Sequence, residues 1–154
     1  DLHLSLRRQR QMCIRDSSNR TGMVMKFAIA VHGSAFASDS PRQAQRFVRA
    51  CVARGHTVKR VFFFHDGVLN GLSTPVPPQD EPDPLSEWIT LANEHAIELA
   101  VCIASGIKRG VLDNAAQDRH ERSAVTLAEP FQLVGLGQLI AAIDSADRYV
   151  EFPG

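Results

Sequence analysis

The chain has 154 residues with 17 basic and 17 acidic side chains, enough for one domain with a real core and a poor fit to two. Residues 1–24 hold five arginines against two aspartates, which leaves 12 basic and 15 acidic residues in the body of the chain. A mildly acidic body argues against direct nucleic-acid binding through a basic face, and no apolar run is long enough to span a bilayer.

Residues 1–24 (DLHLSLRRQRQMCIRDSSNRTGMV) lack the apolar stretch of a secretory signal. They read as a non-native or mis-assigned leader, disordered or loosely helical, with initiation expected at Met23 or Met25 and Cys13 irrelevant. Residues 25–154 then form a single domain. Met25–Val31 (MKFAIAV) is a first strand, ended by His32-Gly33-Ser34. Ser40-Pro41 reads as an N-cap followed by proline in the first turn. The helix from there to about Arg54 turns Ala44, Phe47, Val48, Cys51 and Val52 inward, which makes Cys51 a core side chain. Gly55 stops it.

Val58–Phe64 is the second strand, with His65-Asp66-Gly67 at its carboxyl end. The proline-rich connection that follows, Gly71–Pro84, has a length that goes with function or mobility, the alternative being a solvated linker. Asp83-Pro84 opens a second helix reaching about Ala96, with Leu85, Trp88, Ile89 and Ala92 facing the core and Trp88 as its anchor.

The most informative stretch is Glu98–Asp113 (ELAVCIASGIKRGVLD). Leu99–Ala104 is apolar without a break, the pattern of a parallel strand covered on both faces. Ser105-Gly106 is expected to break that strand, and Ile107-Lys108-Arg109 to begin a short helical turn closed by Gly110. Cys102 thus falls near the carboxyl end of a buried strand, ahead of free backbone N–H groups and two cations. Such a setting favours thiolate over thiol. The alternative is an inert core cysteine, the commoner fate of this residue type. Beyond it, Asp113–Ser123 reads as helical or irregular and Val125-Thr126-Leu127 as a short strand. A helix over about Leu136–Ala146 and a last strand at Arg148–Phe152 close the chain.

Strands alternating with helices predict an α/β fold, a three-layer sandwich around a mostly parallel, flavodoxin- or Rossmann-like sheet. Ligands meet such sheets at the carboxyl ends of the strands, and His32-Gly33, His65-Asp66 and Cys102 each end a predicted strand. All three are therefore expected along one edge. His32 and His65 there serve either as proton-transfer groups or as hydrogen-bond partners of loop backbone. The three cysteines form neither a CxxC pair nor a Cys/His cluster at zinc spacing, so no metal site is expected. Their sparse, odd number fits a reducing cytoplasm. Gly135-Leu136-Gly137 precedes a predicted helix but lacks the third glycine of a dinucleotide loop, and there is no P-loop. A nucleotide binder is disfavoured, and no cofactor is expected.

From Met25 to Phe152 the sequence resembles the TusD/DsrE family of sulfurtransferase subunits. The resemblance is carried by KFAIAVHG (Lys26–Gly33), VFFFHDGVLN (Val61–Asn70), VCIASGIKRGVLD (Val101–Asp113) and FQLVGLGQL (Phe131–Leu139), followed by DRYVEF. It implies a DsrE-like fold and a persulfide on the matching cysteine, Cys102, with Lys108 and Arg109 available to stabilise the anion. It also implies a heterohexamer with related subunits of the TusB/TusC or DsrF/DsrH kind, a TusA-like sulfur donor and a TusE- or DsrC-like acceptor. In the Tus branch the sulfur ends as the 2-thio group of a tRNA wobble uridine; in the Dsr branch it serves sulfur oxidation. His65-Asp66 departs from the basic-acidic pair of the Tus branch. A non-catalytic interaction subunit with a silent Cys102 is the remaining alternative.

Overall fold

The computed structural model describes residues 22–154; all but the last three residues of the expected leader, Cys13 among them, lie outside the described residues. In chain order the elements are β1 (Lys26–Val31), α1 (Ser40–Ala53), β2 (Thr57–Phe63), a 3-10 turn (His65–Gly71), α2 (Pro84–His95), β3 (Glu98–Cys102) and α3 (Ile103–Lys108). They continue with α4 (Asn114–Arg119), β4 (Gln132–Val134), α5 (Gly137–Asp144) and β5 (Arg148–Phe152). The five strands make one sheet in the order β4-β3-β2-β1-β5, and every pairing is parallel. The α/β reading of the sequence therefore stands.

Side chains alternate between the two faces of each strand, and in-register neighbours share a face. Ile29, Val61 and Leu99 are in register, as are Val31, Phe63 and Val101. These six form a core with Ala44, Val48 and Cys51 of α1 and Trp88, Leu91 and Ala92 of α2. Trp88 is fully buried and packs edge-on against Phe63, ring centroids 5.1 Å apart. Fully burying a side chain of this kind stabilises the fold by about 1.5–3 kcal/mol, which is why this face holds the two long helices.

The other face carries Ala28, Ala30, Arg60, Phe62, Glu98, Ala100 and Cys102. Arg60 donates from Nε to Glu98 Oε2 at 2.7 Å and from Nη1 to the Gln138 carbonyl at 3.0 Å, which fixes α5 over this side. Its cover is thinner. No residue of α5 is buried, and Leu136, Ile140 and Ile143 face outward.

Local caps agree with the sequence at α2, where Asp83 Oδ1 accepts from the Leu85 N–H at 3.1 Å. At α1 the boundary differs. Asp39 takes the N-cap position and Ser40 is the first helical residue. The Asp39 carboxylate accepts from Gln43 Nε2 and Arg42 Nε, bonds that hold it below the usual carboxylate range, with Gln43 contributing most.

Two further expectations are corrected. Ser105-Gly106 does not break a strand but lies inside α3, which starts directly after Cys102. Gly106 is buried there because a Cβ would stand 3.2 Å from Leu133 Cδ2, so the glycine permits close packing on β4. Val125-Thr126-Leu127 forms no strand; Leu127 makes a single antiparallel bridge to Leu72, which anchors the proline-rich connection. The sheet's outer strand is instead β4, three half-exposed residues (QLV) too short for a periodic pattern to show.

Candidate active site at the carboxyl edge of the sheet

Because all strands run parallel, the residues that follow β1, β2 and β3 emerge on one edge. His32, His65 and Cys102 lie there, as the sequence predicts. His32 and His65 meet, Nδ1 to Nδ1 at 3.1 Å. Cys102 ends β3 and occupies the N-cap position of α3, so first-turn N–H groups of that helix adjoin it. The thiol is 3 % exposed and belongs to the buried core cluster, beneath the rim and not on it.

The two cations of the sequence reading are placed differently from one another. Lys108 is exposed at the far end of α3. Six residues of helix, about 9 Å at 1.5 Å per residue, separate it from Cys102, so its charge complements the helix C-terminus. Arg109 turns back along the helix. It donates from Nε to Asp66 Oδ1 at 2.8 Å and from Nη1 to the Ser105 carbonyl at 3.3 Å. This ion pair joins the segment after β3 to the turn after β2, and α3 packs against that turn.

The turn is itself constrained. His65 adopts a left-handed backbone, φ 48°. Gly67 lies so close to β1 that a Cβ would collide with the Val31 carbonyl. Asn70, 3 % exposed, donates from Nδ2 to the Gly33 carbonyl at 2.9 Å and to the Gly67 carbonyl at 2.8 Å. One buried amide thus holds together the loops that carry His32 and His65. On the β5 side, Glu151 Oε1 lies 3.7 Å from His32 Nε2 and accepts from the Tyr149 hydroxyl. Burial, then the bond to Glu151 and its charge, push the Tyr149 phenol well above its ordinary range.

Asn70, Tyr149 and Glu151 were not singled out from the sequence. Asn70 stands within the VFFFHDGVLN stretch, and an amide closing a turn is its only local signal. Glu151 and Tyr149 face the site because β5 pairs with β1, with Ala30 opposite Glu151, a contact 121 residues away in the chain. Cys51 is 4 % exposed on α1, as the helical stripe predicts, and burial pushes its thiol up. The cleft of about 620 Å³ between α1 and the proline-rich connection is lined by residues such as Phe36, Arg46 and Glu81, and not by Cys102. Among the described residues no three His, Cys, Asp or Glu side chains converge to hold a metal ion, and no helix is long and apolar enough to cross a membrane.

The DsrE/DsrF-like family matches residues 25–152. The chain is 39 % identical over 130 residues to a protein of Aliivibrio fischeri named sulfurtransferase TusD homolog, covering 84 % of this chain and all of that one. It is 41 % identical over 128 residues to sulfurtransferase TusD of Erwinia tasmaniensis, covering 83 % of this chain and all of the relative. It is 35 % identical over 128 residues to the putative sulfurtransferase DsrE of Allochromatium vinosum, with 83 % and 98 % covered. The crystal structure of the ychN protein from E. coli superposes with a TM-score of 0.67 over 84 % of this chain and all of that one, at 20 % identity, a likeness of fold.

Proposed function

The chain belongs to the DsrE/DsrF-like family and is a sulfurtransferase, and from that premise we propose that it is a relay subunit holding sulfane sulfur as a persulfide on Cys102. The observation that carries the reading is the position of this cysteine. It is the last residue of a central strand and opens a helix, on the sheet edge where parallel α/β folds do their chemistry. In the exchange, a thiolate attacks the terminal sulfur of a donor persulfide, the donor's S–S bond breaks, and the donor leaves as thiolate. A second thiolate later removes the sulfur from Cys102 in the same manner. Cys51 sits in the core on α1 and is no resolving thiol.

The working unit is residues 25–154. Arg109, paired with Asp66, ties the helix that Cys102 opens to the turn of His65, while Lys108 stands at the far end of that helix. His32 and His65 share the sheet edge with the carrier. Its partners are related subunits in a hetero-oligomer, a small donor protein and an acceptor protein, in the cytoplasm. The endpoint is thiolation of the tRNA wobble uridine or, alternatively, sulfur oxidation. Relatives named for both branches match at similar identity.

A second reading is favoured by one observation: at 3 % exposure, Cys102 fits a silent core residue of a non-catalytic interaction subunit. Incubating the native chain with a persulfide donor, then weighing the intact protein and its peptides, separates the two. The relay requires one added sulfur atom on the peptide containing Cys102, removable by a thiol. An unchanged mass leaves the interaction subunit.

A further inference from the structure

A relay needs the sulfur of Cys102 to meet a thiol from outside, yet the residue is 3 % exposed. Its cover is uneven. On one side of β3 runs β2, whose Val61, Phe62 and Phe63 are fully buried. On the other runs β4, three residues at the edge of the sheet, none of them buried. Its last residue, Val134, is in register with Cys102, and in-register side chains share a face of the sheet. Val134 is therefore the lateral neighbour of Cys102 toward the open edge.

Little holds β4 in place. It pairs with β3 only from Ala100–Gln132 to Cys102–Val134. Leu133 rests on Gly106, where a Cβ would stand 3.2 Å from its Cδ2. The chain is anchored on either side of the strand. Before it, Phe131 is 4 % exposed, with its ring centroid 5.3 Å from that of Phe63. After it, Arg60 Nη1 donates to the Gln138 carbonyl at 3.0 Å and to Gln138 Oε1 at 2.9 Å. Between the strand and this second anchor stand Gly135 and Gly137, where an added Cβ would meet no described residue within 4 Å, chain neighbours aside. Glycines so placed absorb the backbone rotation of a hinge. The helix α3, by contrast, is tied to the turn after β2 through Arg109 and Asp66. Short edge elements with few buried contacts open at lower free energy than the core they border.

Resting on the relay reading above, we propose that β4 is the gate through which sulfur reaches Cys102. Gln132–Leu136 swings off β3 as a unit, held at Phe131 and hinged at Gly135 and Gly137, and bares the flank of Cys102 that Val134 covers. The rest of the sheet, α1 and α2 stay packed. The closed strand shields the stored sulfur between donor and acceptor.

Cys51 supplies an internal reference, since it is 4 % exposed on α1, away from β4. The test follows alkylation of the full native chain by iodoacetamide at increasing urea, with the Cys102 and Cys51 peptides quantified separately and each rate divided by that in the unfolded chain. Labelling of a buried thiol reports the population of the state that exposes it, and its urea dependence reports the surface which that state uncovers. The Cys102 rate is expected to exceed that of Cys51 at least about tenfold and to stay nearly flat at low urea, where Cys51 follows global unfolding. The protected amides of β4 should exchange with the same opening constant as Cys102. Leu133→Ala should raise the Cys102 rate about tenfold. Val48→Ala, in the core beside α1, should raise the Cys51 rate about tenfold and the Cys102 rate under about twofold, because that core stays packed when the gate opens. A Cys102 rate as steep in urea as that of Cys51, equal factors at both thiols in Val48→Ala, an unchanged Cys102 rate in Leu133→Ala, or β4 amides protected beyond the Cys102 opening overturns the gate. Sulfur uptake from cysteine persulfide, read by intact mass in parallel, tests the relay separately. Labelling through β4 with no sulfur gained defeats the relay and leaves only an opening strand, whereas sulfur gained without the β4 signature defeats the gate alone.

Discussion

Arg109 and Asp66 form an ion pair across 2.8 Å between two segments that the sequence separates by 43 residues. One lies at the end of the helix that begins at Cys102, the other in the turn that begins at His65. The pair therefore ties the helix that opens at Cys102 to the histidine turn. At 3 % exposure Cys102 meets an outside thiol only when the fold opens around it.

If the pair acts as a clamp, Asp66→Asn or Arg109→Ala should raise the labelling rate of Cys102 in the native protein several-fold. Global stability should shift by no more than about 1 kcal/mol, because exposed ion pairs contribute little, and the Asp66 side chain is 67 % exposed. Labelling kinetics beside a denaturant titration decide the point. An unchanged rate with both variants rules the clamp out.

Cys102→Ser should abolish sulfur loading while leaving the circular dichroism spectrum in place. A hydroxyl at a position 3 % exposed also costs about 1–3 kcal/mol when unpartnered. The expected result is a folded, somewhat less stable protein that takes no sulfur. Loading that persisted in this variant would move the carrier elsewhere.

Asn70→Asp keeps the side-chain shape but replaces a donor of two bonds with an acceptor facing two carbonyls. The expected loss is about 3 kcal/mol or more near neutral pH. Its sign with pH is set by the site: burial and the carbonyls favour the protonated acid, so its folded value is raised. The loss should shrink as pH falls and the carboxyl regains a proton to donate. A denaturant titration at two pH values checks this, and an equal loss at both would contradict it.

Burial raises the Cys51 thiol, with Arg54 acting in the opposite sense. A raised value in the folded state contributes stability that is present below the ordinary thiol range and lost as pH rises through the folded value. Stability should therefore decline on alkaline titration, and the decline should be smaller in Cys51→Ala. Cys51 should resist alkylation at neutral pH until the chain unfolds. Its modification in native protein at the rate of a free thiol would contradict the buried position.

The strands and long helices were legible in the sequence because each carries its own periodic signal. Runs such as VFFF and ELAVC require burial on both faces, and the stripe from Ala44 to Val52 requires one. The edge shared by His32, His65 and Cys102 was legible for the same reason, since parallel strands send all their carboxyl ends one way. Short elements were not. The three residues of β4 have too few positions for a period, and Gly106 reads as a break until Leu133 is seen packed against it.

The amino-acid sequence alone determined the architecture, the family likeness and the strand end at which Cys102 stands, because burial patterns and motifs are local properties of the chain. Only the tertiary structure decided that His32 faces His65, that Glu151 backs them from the last strand, and that Cys102 lies under the rim at 3 % exposure. Those facts depend on which strands become neighbours and how closely their loops approach. Hydrogen bonds and excluded volume between distant segments set both, and no local pattern records them.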